Sequence, residues 1–270
     1  MKKINWGNLL IAVILISGIS MLIYPTIGDY WNSFRSSKAI SGYAENVASM
    51  TSDRYEEMLR EAKIYNQMLL TRENEYALSE EQIELYEQTL DVSETGIMGY
   101  VEIPQINCSL PIYHGTEESV LQIAIGHLEW TSLPIGGENS HCVISGHRGL
   151  KSAKLFTDLD RLTEGDIFML RVLDEVLTYE VDQISIVLPN QTEELLAVDG
   201  KDYCTLMTCT PYGVNTHRLL VRGHRIANLE ERTVFVTADA MQVDPVVVAP
   251  AVAVPILLVM FLWVMMKYRK

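Results

Sequence analysis

Cysteine is scarce in this chain, with only four among 270 residues. They stand at Cys108, Cys142, Cys204 and Cys209, and no two of them have CxxC spacing. Four cysteines without a compact spacing pattern are too few to frame a disulfide-rich protein. If Cys209 is a working thiol, at most two of the other three can pair with each other, and the sequence is compatible with paired and with free thiols.

Acidic residues are missing from both ends, since none precedes Asp29 and none follows Asp244. Five of the 21 basic residues lie in these ends, so the middle carries 16 basic against 35 acidic residues, a net charge of −19. Such a surface repels nucleic acid and favours a basic partner. The simpler interpretation is that the charge keeps a surface protein soluble.

Charged residues are also absent from two long stretches, 8–27 and 246–266. Either is long enough to cross a hydrocarbon core of roughly 30 Å as a helix. Basic residues lie outside both, so the positive-inside rule predicts a cell-membrane protein with both termini in the cytoplasm and residues 29–244 extracellular. The first stretch could instead be a cleaved signal peptide, but residues 24–30 contain no clean small-x-small cleavage site. We therefore expect a retained anchor.

Proline is absent from residues 33–90, which predicts a helical leader. Ser79 and Gln82 have the spacing of a capping box, which marks the start of a second helix after a polar break at 71–78. We expect the helices to pack on the following domain and to connect it to the membrane; alternatively, the break covers a functional site. One apolar stripe recurs at helical spacing and comprises Tyr55, Met58, Ala62, Tyr65 and Leu69.

From Gly99 onward the pattern becomes that of short strands, separated by Gly, Pro and Asn. Regularly spaced short strands with few helices predict a mainly β domain, as a closed barrel or a sandwich. One helix is expected near 153–162. No phosphate-binding loop occurs, and we expect no cofactor. The strand candidates are 100–103, 108–113, 141–145, 167–173, 177–187 and 203–208.

Residues 203–221 read as a hairpin whose first strand ends near Cys209. Pro211, Gly213 and Asn215 favour a turn, and the return strand opens near Arg218. Antiparallel pairing then places Cys209 opposite Arg218. A thiol beside a fixed cation is the setting of a thiolate nucleophile. An ordinary hairpin with a buried cysteine fits these residues equally well.

A second strand candidate, 141–145, ends just before His147. A Cys–His pair needs only closeness in space, so His147 is a candidate partner of Cys209.

Cys204, Cys209, His217 and His224 could be imagined as zinc ligands, but two cysteines five residues apart on a strand point to opposite faces. We therefore predict no metal site. His114, His127 and His224 have no evident partner in the sequence and are interpreted as structural.

Thr205-Leu206-Met207-Thr208-Cys209 resembles the TLxTC signature of sortases, the membrane-anchored cysteine transpeptidases of Gram-positive bacteria. The continuation 210–218 is similar to that of class C, or pilus-assembling, sortases. The resemblance is close over 94–226 and extends in layout to the whole chain, because class C members often carry a second, C-terminal membrane span. Further matching segments are 99–104, 114–116, 126–128, 131–134 and 145–150.

The resemblance implies an eight-stranded sortase β-barrel with short helices, a helical leader and a transmembrane helix at each end. The implied division is 1–28 as cytoplasmic tip and anchor, 29–93 as leader, 94–232 as catalytic barrel, 233–245 as linker and 246–270 as C-terminal span with a basic tail.

The implied reaction is transpeptidation on an LPxTG-like sorting signal. Cys209 attacks the Thr carbonyl, His147 acts as general acid and then base, and Arg218 orients substrate or stabilises the oxyanion. The implied partners are proteins with a sorting signal, and pilin subunits whose lysine resolves the thioester. Attachment of proteins to peptidoglycan, and a catalytically silent membrane-tethered assembly scaffold, are the alternatives.

One feature of class C sortases is missing. Their active site is usually covered by a lid with an Asp-Pro-aromatic triplet, whereas the single Asp-Pro of this chain is Asp244-Pro245. Glu75 and Tyr76 stand where a lid is expected, without the proline that would make the turn rigid. We therefore expect a weak or absent lid near 71–78.

Overall fold

The computed structural model describes residues 6–72 and 76–228, which form four helices and eight strands. The helices are α1 (Trp6–Ala48), α2 (Ser52–Thr71), α3 (Glu80–Gln88) and α4 (Glu118–Leu121). The strands are β1 (Ile97–Ile103), β2 (Cys108–His114), β3 (Ile125–His127), β4 (Ser140–Ser145), β5 (Ile167–Val172), β6 (Glu175–Val187), β7 (Asp202–Thr210) and β8 (His217–Arg225). Single 3-10 turns occur at Pro104–Ile106, Leu159–Arg161 and Glu193–Leu195.

The eight strands form one closed barrel in the order β1-β2-β3-β4-β7-β8-β6-β5. Neighbouring strands are antiparallel except for the parallel pairs β2–β3 and β4–β7. Closure leaves no free sheet edge, which is how an all-β domain avoids pairing with other chains. The prediction of a mainly β, eight-stranded barrel is confirmed, although β3, with only three residues, was not among the strand candidates.

The barrel interior is filled by alternate side chains of each strand, as the two-residue period of a strand requires. On β7, Cys204 and Leu206 point into the core and are fully buried. Phe168 and Tyr179 stack across the interior at 5.5 Å between ring centroids. Odd-numbered residues of β7 therefore face outward, and this alternation later places the candidate active site on the outer surface.

The leader is helical, but it is interrupted once more than the sequence indicated. Between α1 and α2 the chain leaves the helix, and the Thr51 hydroxyl accepts a bond from the Arg54 backbone N–H at 3.4 Å, which caps α2. The predicted capping box of Ser79 and Gln82 is confirmed at the start of α3. The predicted stripe on α2 is also confirmed, since four of its five members are buried: Met58, Ala62, Tyr65 and Leu69.

Tyrosine hydroxyls attach the leader helices to the barrel. Tyr43 of α1 donates to the Met98 carbonyl at 3.1 Å and accepts from the Leu173 backbone N–H at 2.7 Å. Tyr65 of α2 donates to the Glu129 carbonyl at 2.9 Å. These bonds satisfy the polar tips of side chains whose rings lie among apolar neighbours. The interpretation that the leader helices pack on the domain is confirmed for α2.

The helix expected at 153–162 is wrong. Leu155 has a φ of 38°, in the left-handed region that a right-handed helix excludes. A single 3-10 turn, Leu159–Arg161, follows in its place. In this segment Leu155, Phe156 and Leu159 are buried in the core.

Residues 8–27, the expected first membrane span, lie within α1. Among the helices of the described residues, none is sufficiently long and apolar to cross a membrane, so the model does not support this span. The expected second span, 246–266, lies outside the described residues.

His141 of β4 connects the barrel to the segment after the Glu193–Leu195 turn. Its side chain is buried, with Nδ1 at 2.9 Å from the Leu196 carbonyl and Nε2 at 2.7 Å from the Thr205 hydroxyl. Because a carbonyl only accepts, Nδ1 carries the proton of the neutral ring and Nε2 accepts from Thr205. Burial lowers the pKa of His141 from 6.5 to about 4.

The first prediction concerns acid stability. The lowered pKa means that the folded state favours the neutral form of His141. The contribution of neutral His141 to the unfolding free energy is therefore fully present above pH 6.5 and is lost as the pH falls towards 4. A shift of this size corresponds to about 3 kcal/mol of unfolding free energy. Urea unfolding at stepped pH should show a flatter dependence between pH 6.5 and 4 in His141→Gln than in wild type. His224→Gln, at a partly exposed position, is the matched control, and parallel curves for wild type and His141→Gln would contradict the assignment.

The second prediction concerns the close approach of β3 to the loop after β2. A Cβ on Gly126 would lie 2.0 Å from the Gly115 carbonyl oxygen, which is backbone and cannot rotate away. We expect Gly126→Ala to lower the unfolding free energy by about 2 kcal/mol or more, measured by chemical denaturation. Gly42→Ala in α1, where nothing lies within 4 Å, should be neutral or stabilising. Equal stability of the two variants would refute the close approach.

Candidate active site

The β7–β8 hairpin places Cys209 directly opposite Arg218, which confirms the predicted pairing. β7 extends one residue past Cys209, and β8 begins one residue before Arg218. Between them Pro211 accepts backbone bonds from Val214 and Asn215 at 3.1 and 3.0 Å, and these bonds close the predicted turn. The thiol and the guanidinium therefore belong to one rigid hairpin end.

Cys209 and Arg218 lie on the outer surface of the barrel. Inward-facing residues alternate with outward-facing ones, and Cys204 is fully buried in the core while Cys209 is partly exposed. The two cysteines thus point to opposite faces, as predicted, and do not combine as ligands. Within the described residues no three His, Cys, Asp or Glu side chains are grouped to hold a metal ion.

His147 follows the end of β4, which runs parallel to β7. Beyond the last strand pair, the Gly146 backbone N–H donates to the Met207 carbonyl at 3.0 Å. The Thr208 hydroxyl returns a bond to the Gly146 carbonyl at 2.7 Å. His147 follows Gly146 and Cys209 follows Thr208, so both residues lie at the same end of the barrel.

Arg148 ties together the segments that follow His147 and β7. Its guanidinium forms an ion pair with Asp160, donates to the Thr210 hydroxyl at 3.4 Å and lies 5.8 Å from the ring centroid of Tyr212. The side chain is largely buried, so these contacts hold the loop against the hairpin. Sequence reasoning missed Arg148, although it directly follows His147 in the matching segment 145–150.

The Arg218 guanidinium is held at the mouth of the hairpin by main-chain oxygens. Its Nη1 donates to the Asn215 carbonyl at 3.4 Å and to the His217 carbonyl at 3.3 Å. These weak bonds leave most of its donors directed to the surface, since a guanidinium carries five. A fixed cation beside Cys209 is suited to stabilise negative charge on a thiolate or on an oxyanion.

An apolar cavity of about 220 Å³ lies next to Arg218 on the outer face of the barrel. Its floor is formed by outward-facing Met207 of β7 and Leu220 of β8. These two residues are paired with each other and lie two positions along their strands from Cys209 and Arg218. Trp130 and the β6–β7 connection form its walls. The remaining lining residues are Leu128, Val187, Leu188, Pro189, Gln191, Thr192 and Leu195.

Of the four cysteines, Cys209 is the one with the chemical setting of a nucleophile. Burial raises the pKa of Cys204 well above 9, and raises that of Cys108 to about 12. Cys142 differs: burial opposes its ionisation, but hydrogen bonds from Cys204 and His127 lower its pKa to about 6. Its thiol is nevertheless fully buried opposite Cys204 on the parallel strands β4 and β7, where a peptide substrate has no access, whereas Cys209 is partly exposed. The structure shows all four cysteines as free thiols.

Two of the histidines interpreted as structural have buried partners. His127 lies in the core with Nε2 at 2.8 Å from the Ser132 carbonyl and Nδ1 at 3.0 Å from the Tyr86 hydroxyl. His114 has its ring nitrogens at 2.7 and 3.0 Å from the Thr89 and Gly96 carbonyls. Both join the segments around α3 to the barrel.

Tyr76 packs against Trp130, which lines the apolar cavity next to Arg218. The two rings meet edge-on at 5.4 Å between centroids, and Tyr76 is 44% exposed. The Arg72 guanidinium donates to the Trp130 carbonyl at 2.6 Å. Glu75, the other expected lid residue, lies outside the described residues. Arg72 and Tyr76 thus both contact Trp130, which lines the apolar cavity.

Comparison with known proteins assigns the family. A sortase domain model matches residues 101–226. The chain is 32% identical over 146 residues to sortase A of Streptococcus agalactiae, covering 53% of this chain and 57% of that protein. The chain therefore matches less than two thirds of the length of that relative.

Solved structures match over more of their length. Sortase C1 of S. agalactiae is 50% identical with a TM-score of 0.69, covering 71% of this chain and 100% of that one. Clostridium perfringens sortase C, solved with its C-terminal cell wall sorting motif, is 43% identical with a TM-score of 0.63, covering 71% and 100%. The protein is accordingly a member of the sortase family of cysteine transpeptidases, and its structural neighbours are class C sortases.

Proposed function

We propose that the protein cleaves an LPxTG-like sorting signal between Thr and Gly through a thioester on Cys209. The observation that carries this proposal is the β4–β7–β8 arrangement, in which Cys209 faces Arg218 and the bonds between β4 and β7 end at Gly146, the residue before His147. A nucleophile, a proton donor and a fixed cation thereby share one end of the outer face. That set is sufficient for acyl transfer.

In the first half-reaction the Cys209 thiolate attacks the Thr carbonyl of the signal. The developing oxyanion is stabilised by the Arg218 guanidinium. His147, as imidazolium, gives its proton to the leaving Gly nitrogen as the C–N bond breaks. The product is an acyl-enzyme in which the substrate Thr is joined to Cys209 by a thioester.

In the second half-reaction an amine attacks that thioester. The now neutral His147 removes a proton from the attacking nitrogen, and Cys209 leaves as the thiolate, which restores the starting charge state. A site that excludes water from the thioester would favour transfer to the amine over hydrolysis.

The apolar cavity supports a peptide substrate with apolar residues before its Thr. It adjoins Arg218 and Met207, so a peptide whose Leu and Pro fill it would present its next residues to Cys209. An extended segment advances about 3.3 Å per residue, so the signal is long enough to reach from this cavity to the thiol.

We further propose a pilin lysine as the acceptor amine. Identities of 40–50% to class C structures support this choice. The net charge of −19 over residues 29–244 is compatible with a basic acceptor. Attachment to peptidoglycan is the second candidate, and it uses the same chemistry with a different amine.

The third prediction tests the thioester. Full-length protein incubated with an LPxTG peptide should show an acyl adduct on Cys209 by mass spectrometry, and Cys209→Ala should show none. Arg218→Ala should slow adduct formation by about 100-fold, the usual effect of losing an oxyanion donor. Arg222→Ala is the matched control on the same strand and face, where the arginine pairs with Asp182 instead.

Two results would contradict the proposal. One is cleavage of the peptide by Cys209→Ala, and the other is a folded wild-type protein that cleaves no such peptide, which would favour the silent scaffold. The acceptor is tested in a second stage with the preformed adduct. Resolution by a pilin lysine, lost when that lysine is changed to arginine, would support polymerisation, whereas preference for a peptidoglycan amine would support wall attachment.

We also propose that residues 71–78 act as a weak lid at most. Support comes from the exposure of Tyr76 and from its position on Trp130, which lines the apolar cavity. The edge-on contact between the Tyr76 and Trp130 rings contributes about 1 kcal/mol.

The fourth prediction follows from this weak lid. In a Cys108→Ser background, a small thiol reagent should report on Cys209, since Cys142 and Cys204 are buried. Deletion of 71–78, or Tyr76→Ala, should raise the labelling rate by no more than about fivefold, because about 1 kcal/mol of closure energy corresponds to a factor of about five. A rise above tenfold would show a strong lid and overturn the expectation.

A further inference from the structure

A carboxylate faces the histidine of the candidate active site. Oε2 of Glu118, the first residue of α4, lies 3.5 Å from Nε2 of His147. The other carboxylate oxygen accepts a short hydrogen bond from the side-chain amide of Gln122, one turn along the chain. Gln122 thus holds the carboxylate by one oxygen while the second is directed at the imidazole.

The loop that carries Glu118 is fixed at both ends by the barrel. At its start the Gly115 backbone N–H donates to the buried Tyr86 hydroxyl at 2.9 Å. At its end Ala124 is 2% exposed and leads directly into β3. Gly126 packs on the Gly115 backbone with no room for a Cβ, so the two ends are pressed together. The position of Glu118 is therefore set by the fold.

We propose that Glu118 is a positioning residue for His147, which orients the imidazole and stabilises the positive charge that the ring carries when it acts as the acid. This inference rests on the proposed acid–base role of His147. A carboxylate beside an imidazole favours the imidazolium, the form that must donate a proton to the leaving amine. In the second half-reaction the same carboxylate stabilises His147 as it takes the proton back. Glu118 itself remains charged and exchanges no proton.

The charges around His147 fit this role. The pKa of Glu118 is lowered, first by the hydrogen bond from Gln122 and further by the charge of His147, so the carboxylate is ionised at neutral pH. From the neighbouring strands, Cys209 of β7 and Arg218 of β8 stand at the same end of the barrel. Arg148 of the same loop is paired with Asp160. Glu118 thus supplies a negative charge at Nε2 of the His147 ring.

Solvent limits the size of the effect. The side chain of Glu118 is 71% exposed and that of His147 is 26% exposed. Exposed ion pairs are weak and are screened by salt. The expected consequence is a change in rate of about twofold to fivefold, which depends on ionic strength.

The fifth prediction compares Glu118→Gln with the matched control Glu117→Gln in the full-length protein. Glu117 directly precedes Glu118, and its change to glutamine removes the same charge. The Glu117 side chain makes no capping hydrogen bond in α4, so this change removes no cap from the helix. We expect Glu118→Gln to lower kcat/KM for peptide cleavage about twofold to fivefold at low salt. We also expect it to move the limb of the pH–rate profile that follows the imidazole to lower pH.

Three further features identify a positioning role. The difference between Glu118→Gln and wild type should shrink in 1 M NaCl, since the Debye length falls to about 3 Å. Glu118→Asp should restore part of the pH profile. Glu117→Gln should match wild type in rate and pH profile, and all variants should unfold at the wild-type temperature.

The outcomes separate this role from the proposed function. Identical pH profiles for Glu118→Gln and wild type, with normal adduct on Cys209, would overturn the positioning role alone. A raised KM for the acceptor amine with an unchanged pH profile would also overturn it, because Glu118 would then bind the acceptor. A wild-type protein that forms no adduct on Cys209 would overturn the proposed function and this role together.

Discussion

The pairing of β7 with β4 on one side and β8 on the other determines the geometry of the active site. β7 carries Cys209, and β8 places Arg218 opposite it. Gly146, just after β4, donates to the Met207 carbonyl and accepts from the Thr208 hydroxyl, which extends the contact between β4 and β7 by one residue. Since a one-residue slip would turn every side chain of a strand to the other face, this register decides whether the thiol faces solvent or the core. Closure of the sheet into a barrel stabilises this pairing of β7 with β4 and β8.

The inward face of β7 belongs to the packed core, and its outward face carries the candidate nucleophile. Its inward side chains, Cys204 and Leu206, belong to the packed core, where burial keeps the Cys204 thiol protonated. Its outward side chains, Met207 and Cys209, lie on the surface beside an apolar cavity. Loops packed on the outer face then supply the groups that a strand cannot, with Arg148 holding the hairpin end and Glu118 facing the imidazole.

Short-range patterns were sufficient to locate the chemistry. Turn-forming residues between two alternating segments predicted the hairpin, and the pairing of Cys209 with Arg218 followed from antiparallel geometry alone. The capping box of Ser79 and the apolar stripe on α2 were equally local and correct. Local patterns failed where the backbone was decided by packing. Leu155 adopts a left-handed conformation, so the expected helix at 153–162 does not form. β3 has only three residues, too few to show the alternation of a strand.

The sequence by itself determined the hairpin, because Cys209 and Arg218 are only nine positions apart and a turn-forming segment joins them. It also determined the family, because the matching segments are short motifs that can be read one at a time along the chain. Only the tertiary structure decided which groups surround them. Glu118 is 29 residues from His147 and Trp130 is 54 from Tyr76, and no periodicity links such pairs. Their contacts arise from barrel closure and from helices that pack outside it, which depend on the whole chain folding together.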